Sequence, residues 1–132
     1  MSDRVVYLDT SAFVKLVTSE PETAVLAAHL RRWSMAVSAS LLRTEALRAA
    51  ARRSPQCVLD TRRALRDIAF IDLDWALLDQ AGILTPADLR SLDAVHLAAA
   101  LSLGDDLDEL VTYDVRMATA AVAAGLPVSS PS

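Results

Sequence analysis

The first apolar run, Arg4-Val-Val-Tyr-Leu8, is short and β-branched and stops abruptly at Asp9-Thr10-Ser11, the pattern of a buried strand feeding a helix start. Asp9 therefore falls at the carboxyl end of a strand. Ala12 to Val17 continues as a turn or two of helix, and Ser19-Glu20-Pro21-Glu22 opens a second helix reaching about Arg32, with proline near its first position. Ser34 to Ser38 reads as a second strand. Ser38 or Ser40 can then cap a long helix through Leu41, Leu42, Glu45, Ala46 and Ala49. Beyond Ser54-Pro55 a further helix runs to about Asp67, Ala69 to Leu73 forms a third strand, and a short helix starts at Asp74. Leu89 to Ala100 is an apolar helix carrying Asp93 and His96 three residues apart, ended by Gly104-Asp105-Asp106. Asp108 to Thr112 is a fourth strand ending at Tyr113-Asp114. Val115 to Ala124 is helical up to Gly125, and Leu126 to Ser129 forms a last edge strand.

Strands alternating with helices imply an α/β chain with a parallel sheet. At 132 residues and 53% hydrophobic content, residues 1–132 read as one domain with a substantial core, and only the closing Ser-Ser-Pro-Ser looks like a tail. The lone Cys57 cannot form an internal disulfide, which favours a reducing compartment. Asp3 and Arg4 lead directly into the first strand without an export signal, and the Ala/Leu-rich stretches fall short of the ~20 apolar residues that span a bilayer. The expectation is a soluble, cytoplasmic protein with no membrane association.

The net charge of -4 argues against a uniformly cationic nucleic-acid binder, but the charge is unevenly spread. From Arg43 to Arg66 there are seven arginines against Glu45 and Asp60, whereas from Asp67 onward eleven acids face only Arg90 and Arg116. Arginine's planar fork suits phosphate recognition. The alternative reading of the excess of arginine over lysine is codon bias in a GC-rich genome, which leaves the clustering unexplained.

In an open parallel sheet, ligands bind beyond the carboxyl ends of the strands, near the switch in strand order. Asp9 and Asp114 both fall there, each beside hydroxyl residues, Thr10 and Ser11 in one case and Thr112 in the other. Asp93 interrupts an otherwise apolar helix and needs a compensating partner. A hard divalent cation such as magnesium would supply one, and Glu45 could face the same crevice. Each acid also has an ordinary explanation. Asp9 and Asp114 are good helix caps, Glu45 could pair with Arg48 on the helix surface, and Asp93 could form a structural salt bridge. Arg48 and Arg52, three and seven residues after Glu45, share its side of the helix and suit either a phosphate or a solvated face; Arg116 is equally ambiguous. His96 reads as a packed or hydrogen-bonded histidine, His29 as a surface one, and Trp33 and Trp75 as packing or interface residues.

Four blocks in order carry a family likeness: Tyr7-Leu-Asp-Thr-Ser-Ala-Phe-Val-Lys-Leu16, Thr44-Glu45, Leu92-Asp-Ala-Val-His-Leu-Ala-Ala-Ala100 and Leu110-Val-Thr-Tyr-Asp-Val-Arg-Met-Ala118. Together they resemble PIN-domain ribonucleases, most closely the VapC-type toxins of bacterial toxin–antitoxin systems. The resemblance implies a three-layer α/β/α domain with a central parallel sheet of four to five strands. It implies a magnesium-dependent endoribonuclease, with manganese as a substitute ion. Asp9 and Asp93 would be the principal metal ligands, and Glu45 and Asp114 would complete the catalytic pocket. Thr10, Ser11 and Thr112 match hydroxyl positions beside it, and Arg48, Arg52 and Arg116 are candidates for phosphate contact. The implied partners are transfer or ribosomal RNA, a VapB-type antitoxin and a second copy of the chain. Candidate partner surfaces lie at Phe13 to Val17 and Ala27 to Trp33.

Two rival readings are a phosphatase with Asp9 as nucleophile and a non-catalytic binding domain. The first wants a second acid two residues after Asp9, where this chain has Ser11.

Overall fold

The computed structural model describes residues 4–132; Met1 to Asp3, which contribute to the export-signal reading, lie outside the described residues. The elements in chain order are β1 (Val5–Leu8), α1 (Thr10–Val17), α2 (Thr23–Leu30), β2 (Met35–Ala39), α3 (Leu41–Ala51) and α4 (Pro55–Leu65). They continue with β3 (Ile68–Ile71), α5 (Trp75–Gly82), α6 (Ser91–Leu101), a 3-10 turn at Gly104–Asp106, β4 (Glu109–Val111), α7 (Val115–Ala123) and β5 (Val128–Ser129).

The five strands form one sheet in the order β3-β2-β1-β4-β5, all parallel. After β1 the chain builds outward through β2 and β3, then crosses back to lay β4 and β5 on the other side. The switch in strand order thus lies between β1 and β4, where the crevice of a parallel sheet opens. Leu8 pairs with Val111, so Asp9 and Thr112 leave the sheet side by side.

The two-residue alternation of the strands divides the core between the faces. Tyr7, Val37, Ala39 and Leu110 pack with Leu77 and Ala81 of α5, Leu97 and its alanine neighbours in α6, and Met117, Ala120 and Ala121 of α7. Val6, Leu8 and Val111 pack with Ala12 of α1 and Leu26 of α2, while Phe13 closes against Leu42, Ala46 and Leu65 from α3 and α4. The result is the three-layer α/β/α arrangement. Each fully buried Leu or Phe contributes roughly 1.5–3 kcal/mol relative to exposure. Phe13 is wholly buried and belongs to this core, which removes it from the candidate partner surface.

Helix starts follow the side-chain chemistry. Asp9, Ser54, Asp74 and Asp114 each accept a backbone N–H three residues on, from Ala12 (3.0 Å), Cys57 (3.0 Å), Leu77 (2.8 Å) and Met117 (3.1 Å). The serines before α3 behave differently from the expectation. Ser40 stands at the cap position without a side-chain cap bond, and Ser38 donates to the Leu8 carbonyl across the sheet at 2.7 Å. The second helix begins at Thr23, later than its proline suggests. Glu20 and Glu22 are drawn to Lys15, and the Thr23 hydroxyl bridges the Lys15 and Thr18 carbonyls, holding Ser19–Glu22 in a turn. His29 is half-buried rather than at the surface, because Glu109 at the start of β4 binds its Nε2. The closing residues are held as well, with Ser130 Oγ donating to the Thr112 carbonyl and Tyr113 Oη to the Pro131 carbonyl. Among the described residues no helix is long and apolar enough to cross a membrane.

Candidate active site

Asp9, Glu45, Asp93 and Asp114 come from four separate segments and line one cavity of about 340 Å³ at the carboxyl edge of the sheet. Thr10, Ser11, Arg90, Ser91, Leu92 and His96 complete its wall. Asp9 is set by the end of β1, Asp114 by the end of β4, Asp93 by the first turn of α6, and Glu45 by the second turn of α3. For Asp9 and Asp114 capping and cavity lining coincide: one oxygen holds a helix start, which fixes the carboxylate that faces the crevice.

Asp9 is the most deeply set acid, only 4% exposed. Its Oδ1 accepts from the Ser11 hydroxyl (2.7 Å) and the Ala12 N–H, and its Oδ2 from Thr112 Oγ1. Burial pushes the Asp9 carboxyl above the ordinary aspartate range, outweighing the downward pull of those donors. Ser11 thus serves Asp9 from the position where the phosphatase reading needs a second acid.

Asp93 is also pushed up, first by burial and then by the negative charge of Asp114, with Arg90 offsetting part of the shift. Arg90 bridges the two, Nε to Asp93 Oδ2 at 3.5 Å and Nη2 to Asp114 Oδ2 at 3.3 Å. Its side chain is 68% exposed, so the bridge closes the mouth of the cavity and not its floor. Among the described residues no three His, Cys, Asp or Glu side chains converge into a finished coordination shell. The donor set nevertheless suits a hard divalent cation: all four acids offer carboxylate oxygens, and the two raised ones would be relieved by positive charge.

Glu45 behaves oppositely. Burial pushes it up, but hydrogen bonds from His96 and Thr10 to Oε1, at 2.8 and 2.7 Å, overcome that and hold it below the ordinary glutamate range. Its partners are thus across the fold; the expected alternative, a surface pair with Arg48, does not form among the described salt bridges. Arg48 and Arg52 line a neighbouring groove of about 650 Å³ that shares Thr10, Ser11, Glu45 and Leu92 with the acidic cavity. Lys15 and Tyr113 also line it, the ammonium lying 4.9 Å from the ring centre, but Lys15 is already tied to Glu20 and Glu22. Arg116 is not brought to either space and lines a separate cavity with Pro86, Asp88, Leu89 and Thr119.

Sequence reasoning missed Arg90 and Tyr7. Arg90 stands three residues before Asp93, a spacing that places opposite charges together on a helix, and that signal was available. Tyr7 reads only as a strand residue, and its contact with His96 across 89 positions has no local signature.

A PIN domain family model matches residues 6–123. The chain is 45% identical over 127 residues to Ribonuclease VapC46 of Mycobacterium tuberculosis, covering 96% of this chain and 98% of that protein. It is 37% identical to Ribonuclease VapC47 of the same species, covering 96% of each. Among solved structures, the VapBC2 complex from Rickettsia felis bound to a promoter DNA fragment superposes with a TM-score of 0.76 at 14% identity, covering 97% of this chain and 99% of that one. Mycobacterium tuberculosis VapC20, a Sarcin-Ricin loop cleaving toxin, gives 0.74 at 16% identity, covering 96% and 99%. These two show a shared fold.

Proposed function

The chain belongs to the PIN-domain family, among its VapC ribonucleases, and on that premise we propose that it is a divalent-metal-dependent endoribonuclease acting as the toxin of a VapBC-type pair in the cytoplasm. The observation that carries the reading is the convergence of Asp9, Glu45, Asp93 and Asp114 on one cavity at the strand-order switch. Ordinary caps and surface charges would not be expected to meet there.

In this reading Asp9 and Asp93 hold magnesium, or manganese in its place, and Glu45 and Asp114 complete the set. Bound there, the ion would neutralise the crowded carboxylates and stabilise negative charge developing on a phosphodiester. Ser11, Thr112 and the Ala12 N–H keep Asp9 oriented, and Thr10 does the same for Glu45. Arg48 and Arg52 offer guanidinium groups to the RNA backbone along the adjoining groove, and Arg90 offers a third at the cavity mouth. His96 has both ring nitrogens engaged and so is not available as a general base. The substrate class is transfer or ribosomal RNA. Trp75, Ile83, Leu92 and Val115 are exposed apolar side chains available to a VapB-type antitoxin or a second copy of the chain.

Purified protein should cleave RNA with magnesium and lose that activity in EDTA, and folded Asp9→Asn and Asp93→Asn variants should be inactive. Full activity in both variants would sink the assignment. Induced expression should arrest growth, and a small adjacent reading frame should restore it. Growth unaffected while RNA is cut would remove the toxin role and leave the nuclease. Sequencing RNA ends after induction identifies the target.

A further inference from the structure

His96 is 2% exposed within the alanine-rich α6, and a buried imidazole needs partners for both nitrogens. It has them on opposite sides: Tyr7 Oη at 2.7 Å from Nδ1, and on the Nε2 side Glu45 Oε1 at 2.8 Å and Thr10 Oγ1 at 3.1 Å, the Thr10 proton itself going to Glu45. The proton positions follow from the surroundings. Burial pushes the Tyr7 phenol well above its ordinary range, so it keeps its proton. Its oxygen already accepts the Ala39 N–H at 3.1 Å, leaving the hydroxyl proton for Nδ1. With Nδ1 accepting, Nε2 carries the ring proton and points it at Glu45 Oε1.

The consequence appears at Glu45. Thr10 and His96 both donate to Oε1, while Oε2 has no hydrogen-bond partner among the described residues. We propose that His96 is the positioning residue of Glu45: locked as the Nε2–H tautomer by Tyr7, it saturates one carboxylate oxygen and leaves the other for a divalent cation. A core strand residue thereby acts on the Glu45 carboxylate through a chain of two hydrogen bonds. The cation rests on the metal-dependent reading above, but the positioning does not require that RNA be the substrate.

The test uses the full chain with manganese as the probe. Long-range nitrogen–proton NMR should show His96 as the Nε2–H tautomer in the wild type and a changed tautomer balance in Tyr7→Phe. His96→Leu, with no donor, should weaken manganese binding about 10- to 100-fold while retaining cooperative unfolding, the usual effect of removing a group that orients a metal ligand. His96→Gln, whose amide can donate to Oε1, should recover most of that loss. Glu45→Gln should weaken manganese binding at least as much as His96→Leu. Wild-type manganese affinity in folded His96→Leu overturns the proposal, as does an Nδ1–H tautomer in the wild type. If His96→Leu fails to fold, a Gln variant no better than Tyr7→Phe overturns it too. Manganese binding that depends on His96 in a protein that cuts no RNA would retain the positioning role and defeat only the ribonuclease reading.

Discussion

Thr112 donates its hydroxyl to Oδ2 of Asp9 across the β1–β4 switch, while its own carbonyl accepts from Ser130. The strand pairing that sets Leu8 opposite Val111 places both residues one step beyond the paired segments, side by side. Removing the donor in Thr112→Val keeps the shape and leaves Asp9 Oδ2 short of a partner. Leaving a buried acceptor without its donor costs about 1–3 kcal/mol, so denaturant unfolding in EDTA at neutral pH should show a loss of that order. Divalent-ion affinity should fall about tenfold or more. An unchanged ion affinity in the folded variant would mean that Thr112 does not orient Asp9.

Asp93 makes a prediction about pH. Its folded-state carboxyl is held above the ordinary aspartate value by burial and by Asp114, so between the two values the folded chain binds more protons than the unfolded one. The contribution of Asp93 to stability is therefore fully present below the ordinary aspartate value and is lost as pH rises through the raised one. In EDTA, the melting temperature of Asp93→Asn relative to wild type should rise as pH passes through that window, and the variant should be at least as stable at neutral pH. A variant less stable than wild type at neutral pH contradicts this assignment of the strain.

Arg90 competes with any cation for the Asp93 and Asp114 oxygens. Because its side chain is mostly exposed, its ion pairs contribute only about 0–1 kcal/mol to stability. Arg90→Ala should change the melting temperature little and bind manganese several-fold more tightly by calorimetry. Weaker manganese binding would show that Arg90 supports the site instead of competing for it.

Arg48 and Arg52 border the groove beside the acids. If each neutralises a phosphate of single-stranded RNA, the double alanine variant should flatten the salt dependence of RNA affinity, the log–log slope shrinking by about 0.7 for each phosphate left without its arginine. KM should rise with kcat nearly unchanged. An unchanged slope assigns the two arginines to a solvated face.

Phe13 separates packing from partner binding. It is enclosed by Leu42, Ala46 and Leu65, and Phe13→Ala should cost about 3–5 kcal/mol in chemical denaturation. A full-stability variant with selectively impaired association would return Phe13 to the partner surface.

The fold was legible because its signals are local. Apolar β-branched runs end at Asp9 and near Asp114, and those same aspartates cap the following helices. Asp93 stood out because a carboxylate in an apolar helix demands an explanation. What the sequence withheld depends on which elements become neighbours. Glu45 is a surface residue on its own helix until α3 and α6 bring it to His96, and His29 is ordinary until the sheet places Glu109 beside it. Ser38 looked like a helix cap because capping chemistry is local, whereas its true acceptor, the Leu8 carbonyl, belongs to another strand.

The interior positions of β1 and β4 should give the two halves of the site different rates of opening. Asp9 and Asp114 each follow a strand hydrogen-bonded on both edges, whereas Asp93 and Glu45 ride on the early turns of α6 and α3. In amide exchange, β1 and β4 should be among the last segments to take up deuterium, and a divalent ion should slow exchange mainly at the early turns of α6 and α3. Ion capture would then tighten the yielding half of the pocket around a half that the sheet already holds still.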